Sequence, residues 1–301
     1  MPGPLATLLL RHRPLLLDGA MGTELQRRGL DVGLPLWSAR ALIDNPEEVE
    51  AIHREYIAAG AQIITANTFR TTRRTFLRAG LADHSALLTR RAVEIARKAR
   101  TDCEAGGILV AGSMAPLEDC YRPDLVPPEA ALHAEHAELA ERLAEAGVDF
   151  LLIETMGTLR EARAACTAAV QTGLEVLVSF LCSGEGRLYG GDSIADAVRS
   201  IAPLGPAAFS LNCISPRRVD PALRALQAAT SLPIAVYANV GRPGGERDET
   251  FQADVTPEEY CRFAETWRDR GVAIIGGCCG TSPAYIRQLE KNLAHNDQGK
   301  K

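Results

Sequence analysis

Short apolar runs recur along the chain at fairly even intervals, each closed by glycine or polar turn residues. They fall at Leu15–Gly19, Gln62–Phe69, Ile108–Met114, Phe150–Met156, Glu175–Cys182, Ala207–Cys213, Ile234–Val240 and Val272–Cys279. Within each run nearly every position is apolar, which predicts strands covered on both faces, as in a parallel sheet. Between the runs the period lengthens. Asn45–Ala59 sets Val49, Ile52, Tyr56 and Ile57 at helical spacing, and Pro128–Ala146 does the same with Leu132, Leu139 and Leu143. Ala59-Gly60, Ala146-Gly147 and Arg270-Gly271 mark helix-to-strand junctions, because glycine takes the left-handed conformation that ends a helix. Eight strand–helix units in 301 residues predict one α/β domain, a single closed (β/α)8 TIM barrel. Its core spans about residues 14–290 and its polar tail residues 295–301. An open doubly wound sheet shares this pattern, since strand order is not written in it.

In such barrels chemistry gathers where strands end and the following loops begin. The residues there are Asp18-Gly19-Ala20, Asn67-Thr68-Phe69, Ser113, Glu154-Thr155, Asn212-Cys213, Tyr237 and Asn239, and Gly276-Gly277-Cys278-Cys279-Gly280-Thr281. Polar groups and thiols therefore share one rim, which a barrel built only for stability does not need. With 46% hydrophobic and 24% charged residues the chain has ample material for a large core. A net charge of -5 argues against a nucleic-acid partner, whose footprint is basic. No apolar run approaches the roughly 20 residues that span a bilayer. Leu8-Leu9-Leu10 is cut short by Arg11, His12 and Arg13, unlike a secretory signal. The expectation is a cytoplasmic protein without a membrane partner.

In that compartment thiols stay reduced, so metal or catalytic roles outrank disulfides for the cysteines. Cys103, Cys166 and Cys261 fall on predicted helices and read as small hydrophobes. Cys213, Cys278 and Cys279 end strands six and eight and are placed to converge across the rim, with Cys182 a competing ligand. Three thiolates suit zinc, whose tetrahedral preference leaves one position for substrate or water. Adjacent ligands need a sharp backbone turn, which Gly276, Gly277 and Gly280 are expected to allow. His133 and His136 lie on an Ala/Glu-rich helix and are expected to face solvent. No HxH or HExxH pattern is present, which disfavours a hydrolytic zinc site. A thiol has a pKa near 8.5, so it is only a few per cent ionised at neutral pH; a metal deprotonates it. Alkyl transfer to a substrate thiol is the natural reaction of such a centre.

Asp18-Gly19-Ala20-Met21-Gly22-Thr23-Glu24-Leu25, Leu36-Trp37-Ser38-Ala39, Asn45-Pro46-Glu47 and Gly276-Gly277-Cys278-Cys279-Gly280-Thr281 closely resemble the homocysteine S-methyltransferase family, over residues 14–290. The resemblance implies a zinc-bearing TIM barrel with Cys213, Cys278 and Cys279 as metal ligands. It implies that Asp18 and Glu154 grip the ammonium of L-homocysteine while backbone N–H groups of Gly19 and Ala20 receive the carboxylate. Asn67, Thr68, Ser113, Asn212 and Asn239 are candidate orienting groups. The expected product is L-methionine, with oligomeric state left open.

Departures from the family bear on the methyl donor. Betaine-dependent relatives carry Tyr where Thr155 stands, and an aromatic face is what binds a quaternary ammonium. Trp37 is left as one wall for such a group. Ala238-Asn239-Val240-Gly241 replaces the Pro-Asn-Ser-Gly of many relatives. The 22 residues after Cys279 leave no room for the long C-terminal arm of the betaine type or for an appended folate or cobalamin domain. A sulfonium donor, S-methylmethionine or S-adenosylmethionine, is therefore expected. The alternatives are a homocysteine-binding module served by a separate corrinoid, folate or betaine donor system, and a phosphate-binding barrel using Gly276-Gly277 as its cradle.

Overall fold

The computed structural model describes residues 3–10, 14–242 and 252–295. The end of the polar tail, residues 296–301, lies outside them, as do Arg11, His12 and Arg13. Eight parallel strands form one sheet: β1 (Leu15–Leu16), β2 (Ile63–Ala66), β3 (Leu109–Met114), β4 (Phe150–Met156), β5 (Val176–Phe180), β6 (Ala208–Asn212), β7 (Ile234–Ala238) and β8 (Ile274–Gly277). Their order is β1-β8-β7-β6-β5-β4-β3-β2, and a parallel bridge between Leu17 and Ile63 joins the two ends. Gln62 N–H donates to Leu16 O (2.7 Å) and Asp18 N–H to Ile63 O (2.9 Å) across that seam. The barrel is thus closed as expected, rather than an open sheet. Each strand is followed by a helix: α1 (Pro46–Ala58), α2 (Ser85–Asp102), α3 (Glu129–Ala146), α4 (Leu159–Gln171), α5 (Ile194–Ile201), α6 (Val219–Ala229), α7 (Pro257–Asp269) and α8 (Pro283–His295).

The strands divide their side chains by the period of two. Leu15, Leu17, Ile63, Leu109, Ala111, Phe150, Leu152, Leu177, Ala208, Ala235 and Ile274 fill the barrel interior, while Leu16, Ile64, Val110, Leu151, Ile153, Val178 and Phe209 pack outward against the helices. Both sets are buried, which is why the strands read as continuous apolar runs rather than alternating ones. An additional helix, Pro4–Leu9, sends Leu5 and Leu8 into the interior cluster. Its first amides are orphans, as at any helix start. Leu5 and Ala6 donate theirs to the Glu175 carboxylate at 2.7 and 2.9 Å. Glu175 immediately precedes β5, so this helix stoppers the N-terminal mouth of the barrel and leaves the opposite rim for chemistry.

Helix ends follow the expected chemistry. Gly60, Gly147 and Gly271 all have positive φ, and Thr256 opens α7 with a reciprocal capping box to Glu259. The two histidines of α3 separate. His133 is half-exposed beside Glu129, as expected, but His136 is fully buried against Glu161 at 3.4 Å. The reason is helical phase: His136 falls on the same stripe as Leu132, Leu139, Ala140 and Leu143. It is a core histidine, and it does not face solvent.

Candidate active site and metal centre

At the C-terminal rim, Cys213 follows β6 while Cys278 and Cys279 follow β8. Their three sulfur atoms all lie within 4.8 Å of one another, with Cys213 Sγ 4.0 Å from Cys279 Sγ. Among the described residues this is the one group of three or more potential ligands with such spacing. Cys182 is buried elsewhere, its thiol pushed up to about 12 by desolvation, and it does not join the group. The other two thiols of the trio, together with Tyr121 and Asn239, donate to Cys213 and pull its pKa well below the ordinary thiol range; as donors Cys278 and Cys279 are raised. Three converging soft sulfurs fit a thiophilic divalent metal such as zinc.

The backbone that makes this convergence possible is only partly the glycine-driven turn expected. Gly280 does take a left-handed conformation (φ 82), but Gly276 and Gly277 serve close approach instead. A Cβ on Gly276 would sit 2.6 Å from Leu17 Cβ, and one on Gly277 would sit 2.3 Å from Thr281 Oγ1. Gly277 N–H is also committed to Asp18 O at 2.9 Å, so the pair offers no open phosphate cradle. The left-handed residue on the other side of the cluster is Cys213 itself (φ 58). Thr155, after Glu154, is also left-handed (φ 64), a costly conformation for a β-branched residue.

One side chain spans both of these strained points. Asn212 Oδ1 accepts from Thr155 N–H (3.0 Å) and Ser179 Oγ (2.8 Å), and its Nδ2 donates to Thr155 Oγ1 (2.8 Å). Asn239 plays a parallel part on the other side, accepting from Cys279 N–H at 3.0 Å. Backbone strain concentrated at a site and held by surrounding hydrogen bonds is a mark of function.

Beneath the sulfurs lie two buried carboxylates. Asp18 accepts from Thr65 N–H (2.7 Å) and Thr65 Oγ1 (3.0 Å), which ties the end of β1 to β2. Glu154 accepts from Ser113 Oγ and, at 3.5 Å, from the Tyr237 hydroxyl. Neither forms an ion pair with any described residue. Burial pushes Asp18 up to about 8, against the Thr65 hydrogen bonds and with help from the charge of Glu154. Burial likewise pushes Glu154 up to about 7, against the Ser113 hydrogen bond and with help from Cys213. Two uncompensated buried carboxylates are expensive, and a cationic group is the ligand that would discharge them.

The remaining candidates take supporting places. Asn67 exchanges hydrogen bonds with Ser38, accepting from its hydroxyl (2.7 Å) and donating to its carbonyl (2.9 Å). Thr68 Oγ1 donates to Ser113 O at 2.9 Å. Ala20 N–H is taken by Thr281 Oγ1 at 3.2 Å, whereas Gly19 N–H has no acceptor among the described residues. Trp37 stands over Gly22, where a Cβ would lie 2.3 Å from its Nε1. Three contributors escape a reading of strand ends. Tyr121, whose hydroxyl lies 3.4 Å from Cys213 Sγ, and its neighbour Cys120 come from the middle of the loop after β3; Thr65 lies inside β2. No residue-type pattern marks them; only proximity does.

A parallel eight-stranded barrel with three converging thiols and two buried carboxylates at its C-terminal rim has the outline of a barrel enzyme whose thiols could hold a metal ion. Residues 15–293 match the profile of the homocysteine S-methyltransferase family, and the chain belongs to that family. It is 35% identical to the homocysteine S-methyltransferase of Escherichia coli, over 95% of this chain and 97% of that one. It is 33% identical to the selenocysteine Se-methyltransferase of Brassica oleracea, over 92% and 88%. The crystal structure of the metallated form of homocysteine methyltransferase MmuM from Escherichia coli superimposes with a TM-score of 0.85 at 34% identity, covering 96% of this chain and 99% of that one. Among the described residues no helix is long and apolar enough to cross a membrane.

Proposed function

We propose that the protein transfers a methyl group from a sulfonium donor to the thiol of L-homocysteine, forming L-methionine, with zinc held by Cys213, Cys278 and Cys279. The observation that carries this reading is the pairing of a three-sulfur cluster with two buried carboxylates that have no cation of their own. Asp18 and Glu154 receive the substrate ammonium, which offsets their desolvation and returns both to the ionised form. Gly19 N–H, free of any internal acceptor, receives the α-carboxylate. Ser113 and Tyr237 hold the Glu154 carboxyl toward the ammonium, and Thr65 holds Asp18. When bound, zinc lowers the pKa of a thiol in its remaining position, supplying a thiolate at neutral pH. Asn212 and Asn239 fix the two strand ends from which the sulfurs project. Departure of a neutral thioether from the donor requires no proton, and no general acid is assigned.

The test is methionine formation from homocysteine with S-methylmethionine, S-adenosylmethionine and betaine offered separately, and metal quantified on the same sample. Turnover with a sulfonium, abolished by chelation and restored by zinc, is the expected result. Stoichiometric zinc without turnover would assign the donor role to a separate corrinoid, folate or betaine system. Cys278→Ser is expected to lose metal while keeping the fold; full zinc occupancy in that variant would remove Cys278 from the ligand set.

A further inference from the structure

Among the described residues, the loop after β2 places at the rim a cation, Arg70, that the scheme above does not use. Arg70 lies in the loop after β2, three residues beyond Asn67. Its neighbours Arg74 and Arg78 both reach the carboxylate of Glu118: Arg74 at 2.9 Å, Arg78 at 2.5 and 2.7 Å. Arg74 also pairs with Glu135. Those contacts use up both oxygens of Glu118. Arg70 is left with a single hydrogen bond, from Nη1 to the Glu118 carbonyl at 3.3 Å, and with the Phe69 ring, 5.5 Å from its guanidinium carbon. The nearby Asp119 accepts from Tyr121 N–H at 2.9 Å and makes no ion pair with Arg70. A guanidinium has five N–H donors in a planar fork suited to a carboxylate, and here most of them have no acceptor among the described residues. Burial opposes its charge and lowers its pKa, and the groups that counter this are Cys120, Asp119 and Glu118.

Its position singles out the ligand. Arg70 Nη1 donates to the Glu118 carbonyl, and three residues further along the same loop the Tyr121 hydroxyl lies 3.4 Å from Cys213 Sγ, so the 118–121 segment links Arg70 to the sulfur cluster. Asp18 and Glu154 are almost fully buried, whereas Arg70 is half-buried. A methyl donor must present its methyl carbon to the acceptor sulfur with its leaving group directed away from the cluster.

We propose that Arg70 binds the carboxylate of the methyl donor, which restricts donors to onium compounds that carry one. This rests on the methyl-transfer reading above. Arg70 is a specificity residue for the donor and makes no contact with homocysteine.

The test compares S-methylmethionine with its carboxamide, which keeps the sulfonium and lacks the charge, in wild type, Arg70→Ala and Arg70→Lys. Donor binding by calorimetry in the absence of homocysteine is read alongside steady-state kinetics. Wild type is expected to prefer the carboxylate about 10- to 100-fold, the worth of one charge-assisted contact. Arg70→Ala is expected to erase that preference by raising KM for S-methylmethionine, with kcat and the homocysteine KM unchanged. Arg70→Lys, which keeps charge but not the fork, is expected to restore part of it. An unchanged preference in Arg70→Ala, equal losses for both donors, or a rise confined to the homocysteine KM would overturn the assignment. If Arg70→Ala does not fold, Arg70→Lys and the wild-type preference decide it, since a wild type indifferent to the carboxylate has no anchor to lose. Absence of turnover with every sulfonium would sink the sulfonium-donor reading, while the calorimetric preference would still decide the role of Arg70.

Discussion

Glu154 is buried with no ion-pair partner among the described residues, and burial raises its pKa. Its folded pKa, about 7, stands above the ordinary glutamate value of 4.5. The fold therefore binds this proton more tightly than the unfolded chain does. The group costs nothing below pH 4.5, and the cost grows as pH rises to about 7 and is complete above it. At about 1.4 kcal/mol per unit, ionised Glu154 costs the free protein roughly 3 kcal/mol at pH 8. Glu154→Gln keeps an acceptor for Ser113 and removes the charge. It is expected to raise the thermal midpoint at pH 8, with the gain fading toward pH 4.5, while the homocysteine KM rises at least 100-fold. Thermal scans across that range, beside the kinetics, check both halves. An unchanged midpoint would show that Glu154 is already paired or protonated. In the wild type, the homocysteine KM is expected to fall between pH 6 and 8, because binding an ammonium at lower pH first requires the carboxyls to lose protons.

At the scale of elements, the site depends on how β4, β5 and β6 are cross-tied at their ends. Asn212 is the tie: it joins Ser179 at the end of β5 to both the backbone and the hydroxyl of Thr155. The residues on either side of this knot, Glu154 and Cys213, are a proposed substrate anchor and a proposed metal ligand. Asn212→Ala strands a buried Thr155 N–H and releases the left-handed Thr155 from its restraint. The expected cost is about 2–3 kcal/mol of stability, with metal affinity lowered roughly tenfold or more, as when a ligand's outer support is removed. Competition with a chromogenic chelator measures the second effect. Metal affinity equal to wild type would show that Cys213 is positioned without Asn212.

For the molecule as a whole, the N-terminal seal and the candidate site occupy opposite ends of the barrel. The Pro4–Leu9 helix seals the N-terminal mouth through Leu5, Leu8 and the Glu175 carboxylate, whereas the sulfurs and carboxylates occupy the opposite rim. Glu175→Ala leaves two helix-start amides without their acceptor and is expected to lower stability by about 1–2 kcal/mol. Metal content and kcat should be unchanged, because the side-chain hydrogen bonds of Glu175 go to Leu5 and Ala6 at the opposite end of the barrel. Loss of bound metal in this variant would mean that the two ends are coupled through the barrel.

The strand runs and their rhythm were legible in the sequence because a parallel barrel buries every strand on both sides, so apolarity alone marks the strands. Their order around the barrel was not, and the Leu17–Ile63 bridge that closes the seam is a tertiary fact. The cysteine trio was legible because Cys278 and Cys279 sit among glycines at a strand end. The role of those glycines was not, since close approach to Leu17 and Thr281 exists only once β1 and β8 are neighbours. His136 differs from His133 only in helical phase relative to a core that the fold supplies. Tyr121, Thr65 and Arg70 carry no motif at all. Residue type and local period are properties of the chain, and they determine which elements form and which chemistries are available. Which side chains meet, which charges are left without partners, and which amides remain free depend on contacts between residues far apart in sequence, and only the closed barrel decides those.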